Sequence, residues 1–495
     1  MKLTFQKKAL NVVKADVAVA FVHQDEKLLK SELGALNRLY KNQLSPLLNS
    51  GDFKGKEGES AVVYLAGSSG SSRLILAGLG EKKNVSLERY RRASAAGARK
   101  ARSLKARTVV FQIPANLGEK ADSVLALGEG AYLSLYRYDK YVTKKKEDQS
   151  GEVEELIFCS VDKALSTVAT KALAKAQILS EATCLARDLE NAPANEIYPE
   201  TLARAAKDSA EKNGYTATVL DEFEIKDLGM GGVLGVSQGS ARPPRFIILE
   251  YGNKARKPVV LVGKGVTFDT GGISIKPSSG MAEMKMDMSG AAAVIGTFEA
   301  VSRLKLPVHI VGLVPAVENM PSGTAIRPGD ILRHFNGKTS EVDNTDAEGR
   351  LILADALGYA EKFDPSAVID LATLTGACVV ALGHYATGMM GNDDKLQKAL
   401  KMAGEKTFER VWRLPMFDEY EKLLKSDVAD VKNVGGRWAG AITAAWFLRK
   451  FIGNYKWVHL DIAGTAILEE NLDYAPRGGS GVGVRLLCEF LRKWE

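Results

Sequence analysis

Short apolar runs recur along this chain, separated by helical or polar stretches. Near the start, Val17-Ala18-Val19-Ala20-Phe21-Val22 has the character of a strand, and further runs follow at 61–65, 74–79 and 108–111. Between the last two, the alanine-rich stretch 86–104, with Ser86 placed as an N-cap, predicts a helix. The polar run 144–151 predicts a loop and 153–160 a further strand. Strands alternating with helices imply an α/β domain. From Lys163 to Asn191 the chain is rich in Ala, Leu and Lys, with no Gly or Pro until Pro193, which predicts one long connecting helix. Beyond it, strand candidates lie at 245–251, 258–263, 309–315, 367–371 and 457–462, with helical patterns between them. The unbroken run Val259-Val260-Leu261-Val262 suits a strand buried on both faces of a sheet covered by helices. The expected fold class is α/β in two domains. A smaller N-terminal α/β domain spans 1–162 and a linking helix 163–192. A larger C-terminal domain, 193–495, holds a mixed, mostly parallel sheet flanked by helices.

Composition narrows the class. At 495 residues the chain is too long for one ordinary core, and 45% hydrophobic with 26% charged residues is the balance of a soluble globular protein. Cys159, Cys184, Cys378 and Cys488 are far apart with no CxxC pair, which argues against a thiolate zinc site or a disulfide scaffold. No apolar run resembles a signal peptide or reaches the roughly 18 residues of a membrane helix, so a cytoplasmic protein is expected. Residues 1–180 carry 30 Lys and Arg against 19 Asp and Glu, whereas 181–495 carry 37 against 41. The basic front half raises nucleic-acid binding as an alternative. Arg89, Arg91, Arg92, Arg99, Lys100, Arg102, Lys105 and Arg107 crowd the predicted helix and its end, and Lys144-Lys145-Lys146 form a second cluster. No recognition motif or set of stacking aromatics accompanies them, so a solvated charged helix is the preferred reading.

The strongest chemical signal is Asn344-Thr345-Asp346-Ala347-Glu348-Gly349-Arg350-Leu351. In an extended segment Asp346, Glu348 and Arg350 would share a face, and converging acids are costly unless a cation neutralises them. Thr345-x-x-Glu348 before an apolar run is equally a capping box for a helix over 351–363. A second segment adds Lys264, directly after an apolar strand, then Asp269 before Thr270-Gly271-Gly272, then Lys276 and Asp287. Lys264 would lie at the strand's edge or be buried and driven towards neutrality, and a neutral amine can ligate a metal. Taken singly, Asp269 fits a turn and Lys264 a snorkelling side chain. No HExxH links any of His23, His309, His334, His384 and His459, which are expected to be structural. There is no GxSxG elbow, and Gly229-x-Gly231 lacks the third glycine of a dinucleotide loop. Gly478-Gly479-Ser480-Gly481 could cradle an anion, but a turn before the last helix is the preferred reading.

With these residues in place, the chain resembles the leucyl (cytosol) aminopeptidase family of dinuclear metallo-exopeptidases. The matching stretches are 262–272, Lys276-Pro277, 284–290 and the family's signature octet at 344–351. Supporting matches lie at 191–195, 372–377 and 459–464, so the resemblance covers about 180–495. It implies that Lys264, Asp269, Asp287 and Glu348 ligate one metal, and that Asp269, Asp346 and Glu348 hold a second. Mn²⁺ or Zn²⁺ would occupy both positions. It further implies that Lys276 stabilises the tetrahedral oxyanion and that Arg350 holds a bicarbonate acting as general base. The Leu374 backbone would position the substrate. Met284, Thr373, Gly376, Ala463 and Ala466 would line a pocket for a Leu- or Met-sized N-terminal residue. The family's activity is release of the N-terminal residue of peptides, and its assembly is a homohexamer. A dinuclear phosphoesterase is a further alternative, because paired metals also serve phosphoryl transfer.

Overall fold

The computed structural model describes residues 1–26, 31–143 and 151–494. The Lys144–Lys146 cluster, and the predicted loop except for Gly151, lie outside the described residues. By packing, the chain divides into two compact units, 1–181 with 470–476, and 182–469 with 477–495. The division falls inside the helix Ser166–Asn191, which a short 3₁₀ turn, Lys163–Leu165, precedes.

The first unit is built on a six-stranded sheet ordered Lys2–Gln6, Glu155–Cys159, Thr108–Gln112, Val17–His23, Arg73–Gly80 and Ser60–Tyr64. All neighbours are parallel except the last pair. Every run expected to be a strand here is one. The edge strand Lys2–Gln6 has no apolar run to announce it, since its burial is confined to Leu3. The helix Leu87–Ser103 starts at Ser86, whose hydroxyl accepts from the Arg89 N–H. Its arginines are largely engaged within the unit. Arg91 donates to Glu129 at 2.7 Å and pairs with Glu88, Arg92 pairs with Glu57, Glu88 and Asp473, and Arg89 pairs with Glu57.

The second unit holds a nine-stranded mixed sheet. From one edge it runs Val411–Arg413, Thr387–Gly391, Trp457–Asp461, Ala367–Ala372, Val259–Gly263, His309–Asn319, Arg245–Gly252 and Thr216–Leu220. Gly265–Asp269 continues Val259–Gly263 past Lys264 and pairs in parallel with the end of His309–Asn319. The central strands are parallel to one another, while the pairs made by Thr216–Leu220, Arg245–Gly252 and Trp457–Asp461 with Thr387–Gly391 include the antiparallel ones. Val259–Gly263 and Ala367–Ala372 are buried at every position, as expected of strands covered on both faces. A core of aliphatic and aromatic residues from the sheet and the helices Gly349–Ala360 and Gly440–Arg449 occupies its interior. A small three-stranded sheet, Ile331–Arg333, Thr339–Glu341 and Val431–Lys432, brings Asn433 beside the octet. Among the described residues no helix is long and apolar enough to cross a membrane.

Candidate metal centre

Open α/β sheets bind ligands at the carboxyl ends of their strands, and the candidate residues gather there. Lys264 sits in the one-residue break between Val259–Gly263 and Gly265–Asp269, its N–H bonded to Leu371 O and its carbonyl accepting from Ala291 N. Its side chain is buried, and Nζ lies 2.8 Å from Asp287 and from Glu348. It also donates to the Thr373 carbonyl at 2.9 Å. A side chain at Gly349 would place its Cβ 2.5 Å from Lys264 Cε, so glycine there is what lets the lysine pass. Asp269 ends its strand, with Oδ1 accepting from Asn319 Nδ2 at 2.8 Å and from Gly271 N at 2.9 Å. Lys276 Nζ bridges Asp269 at 2.8 Å and Asp346 at 2.5 Å. Asp287 follows the 3₁₀ turn Met281–Met286 and accepts from Lys264 and from Thr373 Oγ1 at 2.7 Å.

The octet is neither an extended strand nor a capping box. It turns at Thr345 and Asp346 and enters the helix Gly349–Ala360 with Glu348 at the N-cap, making no side-chain cap. The Thr345 hydroxyl donates to Gly271 O at 2.6 Å and accepts from Ser274 N at 2.8 Å, so its bonding capacity joins the two ligand-bearing segments. Asn319 does the same, donating to Asp269 and to Thr345 O. Asn433 pins the start of the octet, accepting from Asp343 N and Asn344 N and donating to Asn344 O. Neither asparagine stood out in the sequence. Asn319 was within reach as the strand-end residue opposite Asp269, whereas Asn433 becomes local only through tertiary pairing.

The electrostatics are those of an acid-rich site. Burial raises the Asp287 pKa well above the carboxylate range, Lys264 opposing and Glu348 and Asp269 adding to the rise. Asp269 rises through burial and Glu348, and Asp346 through burial, both against the nearby Lys276. Burial disfavours charge on Lys264, yet Asp287, Glu348 and Asp269 outweigh it and raise the amine's pKa. Without a bound cation the lysine is therefore buried but held charged by its acids, and ligation through Nζ would require its proton to leave as the cation takes over their charge. Lys276 is likewise raised, Asp269 and Glu348 outweighing burial.

Three carboxylates, Asp269, Asp346 and Glu348, present oxygens within 4.8 Å of one another. Asp287 Oδ2, Asp346 Oδ1 and Glu348 Oε1 are buried, and their close partners are the lysine ammonium groups at 2.5–2.8 Å. Four acids against two ammonium groups leave negative charge in a buried site, a cost that a bound cation would offset. The donor set, oxygens plus one amine, fits a hard or borderline divalent ion. None of the five histidines is among these groups. They bond elsewhere, His23 to Gly80, His309 to Glu250, His334 to Ser340, His384 to Gly464 and His459 to Asp370.

Arg350 is buried at the second position of its helix, donates to Asn433 O at 2.6 Å and leaves Nε without a partner. Burial lowers its pKa to about 10, with Glu348 and Asp461 opposing. Thr373, Leu374 and Gly376 follow the strand Ala367–Ala372, and Ala463 and Ala466 form the short helix after Trp457–Asp461. Thr373 touches the cluster directly, and Leu374 and Ala463 both donate to Asp461. Met284 is half-buried three residues before Asp287, and Ala466 is fully buried. The Gly478–Gly481 loop cradles an acid of the protein itself, Gly481 N donating to Glu190 Oε2 at 2.9 Å and Gly479 N to Asn191 Oδ1 at 3.0 Å.

Residues 184–488 match the cytosol aminopeptidase family, catalytic domain, and residues 18–145 match the cytosol aminopeptidase family, N-terminal domain. The chain belongs to the cytosol aminopeptidase family. It is a metal-dependent aminopeptidase. A probable cytosol aminopeptidase of Chlorobaculum tepidum is 46% identical, with 100% of both chains covered. One of Geobacter sp. (strain M21) is 47% identical over 91% of each chain. Among solved structures, a point mutant of tomato leucine aminopeptidase superposes with a TM-score of 0.88 at 33% identity, covering 100% of this chain and 96% of that one. The bottromycin maturation enzyme BotP in complex with Mn gives 0.85 at 36%, over 97% and 99%. The expected two-domain α/β fold is that of the family. The N-terminal match extends the likeness beyond the 180–495 stretch that the motifs cover.

Proposed function

We propose that this aminopeptidase releases N-terminal residues, leucine preferred within a broad range, using two divalent cations held by Lys264, Asp269, Asp287, Asp346 and Glu348. The observation that carries the reading is the convergence of carboxylate oxygens of Asp269, Asp346 and Glu348 within 4.8 Å of one another, with buried Asp287 and Lys264 beside them. Lys264, Asp269, Asp287 and Glu348 would hold one ion, and Asp269, Asp346 and Glu348 the other. When bound, the pair would supply Lewis-acid polarisation of the scissile carbonyl and a water acidic enough to ionise near neutrality. The Mn complex of BotP and the oxygen-rich donor set favour Mn²⁺, with Zn²⁺ also compatible.

The chain's own residues do the remaining work. Lys276, an ammonium whose charge Asp269 and Asp346 hold in place, donates to the oxygen that becomes negative in the tetrahedral transition state. Arg350, buried and with Nε unpaired, would hold bicarbonate as the general base. The Leu374 carbonyl accepts from the substrate backbone. Met284, Thr373, Gly376, Ala463 and Ala466 shape the side-chain pocket. Catalysis is assigned to 193–495, while 1–162 and the linking helix 163–192 carry none of these residues. A cytoplasmic homohexamer completes the proposal. Nucleic-acid binding by the front unit stays the alternative, weakened in that Arg89, Arg91 and Arg92 pair with acids of the same unit.

The test is hydrolysis of leucine p-nitroanilide and of a phosphate ester by protein stripped of metal and reloaded with Mn²⁺ or Zn²⁺. Anilide turnover restored only by metal supports the aminopeptidase mechanism. Activity that survives exhaustive metal removal overturns it, and turnover of the phosphate ester alone would favour the phosphoesterase.

A further inference from the structure

Asp461 ends the strand Trp457–Asp461, opposite Ala372 of the neighbouring strand, and is fully buried. Among the described residues it makes no ion pair, and four hydrogen-bond donors meet it directly while the Arg350 guanidinium acts on it from farther off. Oδ1 accepts from Leu374 N at 3.2 Å, Thr375 N at 3.4 Å and Ala463 N at 3.2 Å, and Oδ2 accepts from Thr375 Oγ1 at 2.6 Å. One carboxylate thus gathers two separate segments, 373–376 and 462–464, that carry pocket residues. The first segment is held from its other side by the metal centre, where Lys264 Nζ donates to Thr373 O and Thr373 Oγ1 donates to Asp287. With its N–H committed to Asp461, Leu374 keeps a carbonyl that no protein donor reaches among the described residues. A buried unpaired carboxylate is expensive, and several converging N–H and O–H donors are what make one tolerable.

We propose that Asp461 is a positioning residue for peptide hydrolysis. It clamps the Leu374–Thr375 segment so that the Leu374 carbonyl meets the substrate in fixed register with Lys264 and Asp287. The inference rests on the aminopeptidase reading above for its link to turnover, though not for the clamp itself. Misplacing substrate by about 1 Å can cost about 10²-fold in rate, so the clamp acts through orientation and leaves the metal ligands in place.

The experiment compares Asp461→Ala, Asp461→Asn and Thr375→Val with the wild type, all Mn²⁺-loaded. Asp461→Ala is expected to lower kcat/KM for leucine p-nitroanilide by about 10²-fold, mostly in kcat. Amide exchange over 373–376 should quicken more than about tenfold, and calorimetric Mn²⁺ affinity should stay within about threefold. Asp461→Asn keeps an acceptor for the segment's N–H groups and should recover most of the rate, and Thr375→Val should lie between. Wild-type kcat/KM in Asp461→Ala overturns the inference. So does a loss that Asn fails to rescue while Mn²⁺ affinity falls in step, since that describes general collapse. If Asp461→Ala does not fold, unchanged exchange and rate in Thr375→Val overturn it equally. Should the loaded wild type leave the anilide intact, the aminopeptidase reading falls, while exchange at 373–376 still decides the clamp.

Discussion

Two clusters of buried charge, one in each unit, resemble one another in composition and differ in how their acids are arranged. In the first unit, Arg91 lies between Glu88 and Glu129, Arg92 reaches Glu57, Glu88 and Asp473, and Tyr474 donates to Glu88. No atom of Glu88, Glu129 or Arg91 is buried without a hydrogen bond. In the second, Asp269, Asp287, Asp346 and Glu348 share two lysines, whose Nζ atoms lie 2.5–2.8 Å from their oxygens. In the first cluster each acid faces an arginine, which describes a structural device. In the second, oxygens of Asp269, Asp346 and Glu348 converge within 4.8 Å of one another, which describes a place prepared for a cation. Convergence of acid oxygens distinguishes the two, and burial alone would not.

The sharpest way to break this contrast is to mutate both. Glu348→Ala is expected to reduce kcat/KM by about 10³-fold or more, several kcal/mol of transition-state stabilisation. The melting temperature of the metal-free protein should be unchanged or higher, because a repelling acid is gone. Arg91→Met should do the reverse, costing about 3–5 kcal/mol of stability by stranding Glu129 with kcat per folded molecule intact. Denaturant melts beside steady-state kinetics check both, and loss of stability in Glu348→Ala would erase the distinction. A smaller effect is expected for Lys276→Gln, which should lower kcat by about 10²–10³-fold with little change in KM if it serves the transition state alone.

The smallest concerns an acid outside both clusters. Glu190 is buried against the Gly478–Gly481 loop, Oε1 has no partner, and burial pushes its pKa to about 8, with Gly481 and Arg187 opposing. Its folded pKa is above the unfolded value. The stability it contributes is therefore complete below about pH 4.5 and is lost as pH rises through about 8. Glu190→Gln should match the wild type near pH 5 and exceed it at pH 8.5 by at least about 1.4 kcal/mol, the worth of one pKa unit. Melts at the two pH values check this, and identical pH dependence in both proteins would refute it.

The strands around the centre were legible because each is a compact apolar run bounded by polar residues, and Val259–Gly263 needs no partner to announce burial. The edge strand Lys2–Gln6 was not, since only Leu3 is fully buried and its pattern is mostly that of exposed residues. The ligand candidates were visible as residue types in quoted motifs, but their local conformation was misjudged. Periodicity suggested an extended octet and spacing suggested a capping box. Thr345 instead spends its hydroxyl on Gly271 and Ser274, a bond across more than seventy residues that outcompetes a local cap.

Which chemistry the chain can carry was thus decided by its sequence, because carboxylates, amines and small residues at those positions have intrinsic charge, basicity and size. The strand sequence also determined where Lys264 and Asp269 would emerge, at the carboxyl end of an apolar run. Only the tertiary structure decided that Asn319, Asn433 and Asp461 would bind those segments together. Hydrogen bonds between residues far apart in sequence leave no periodic trace, and their partners are defined only once the sheet has paired.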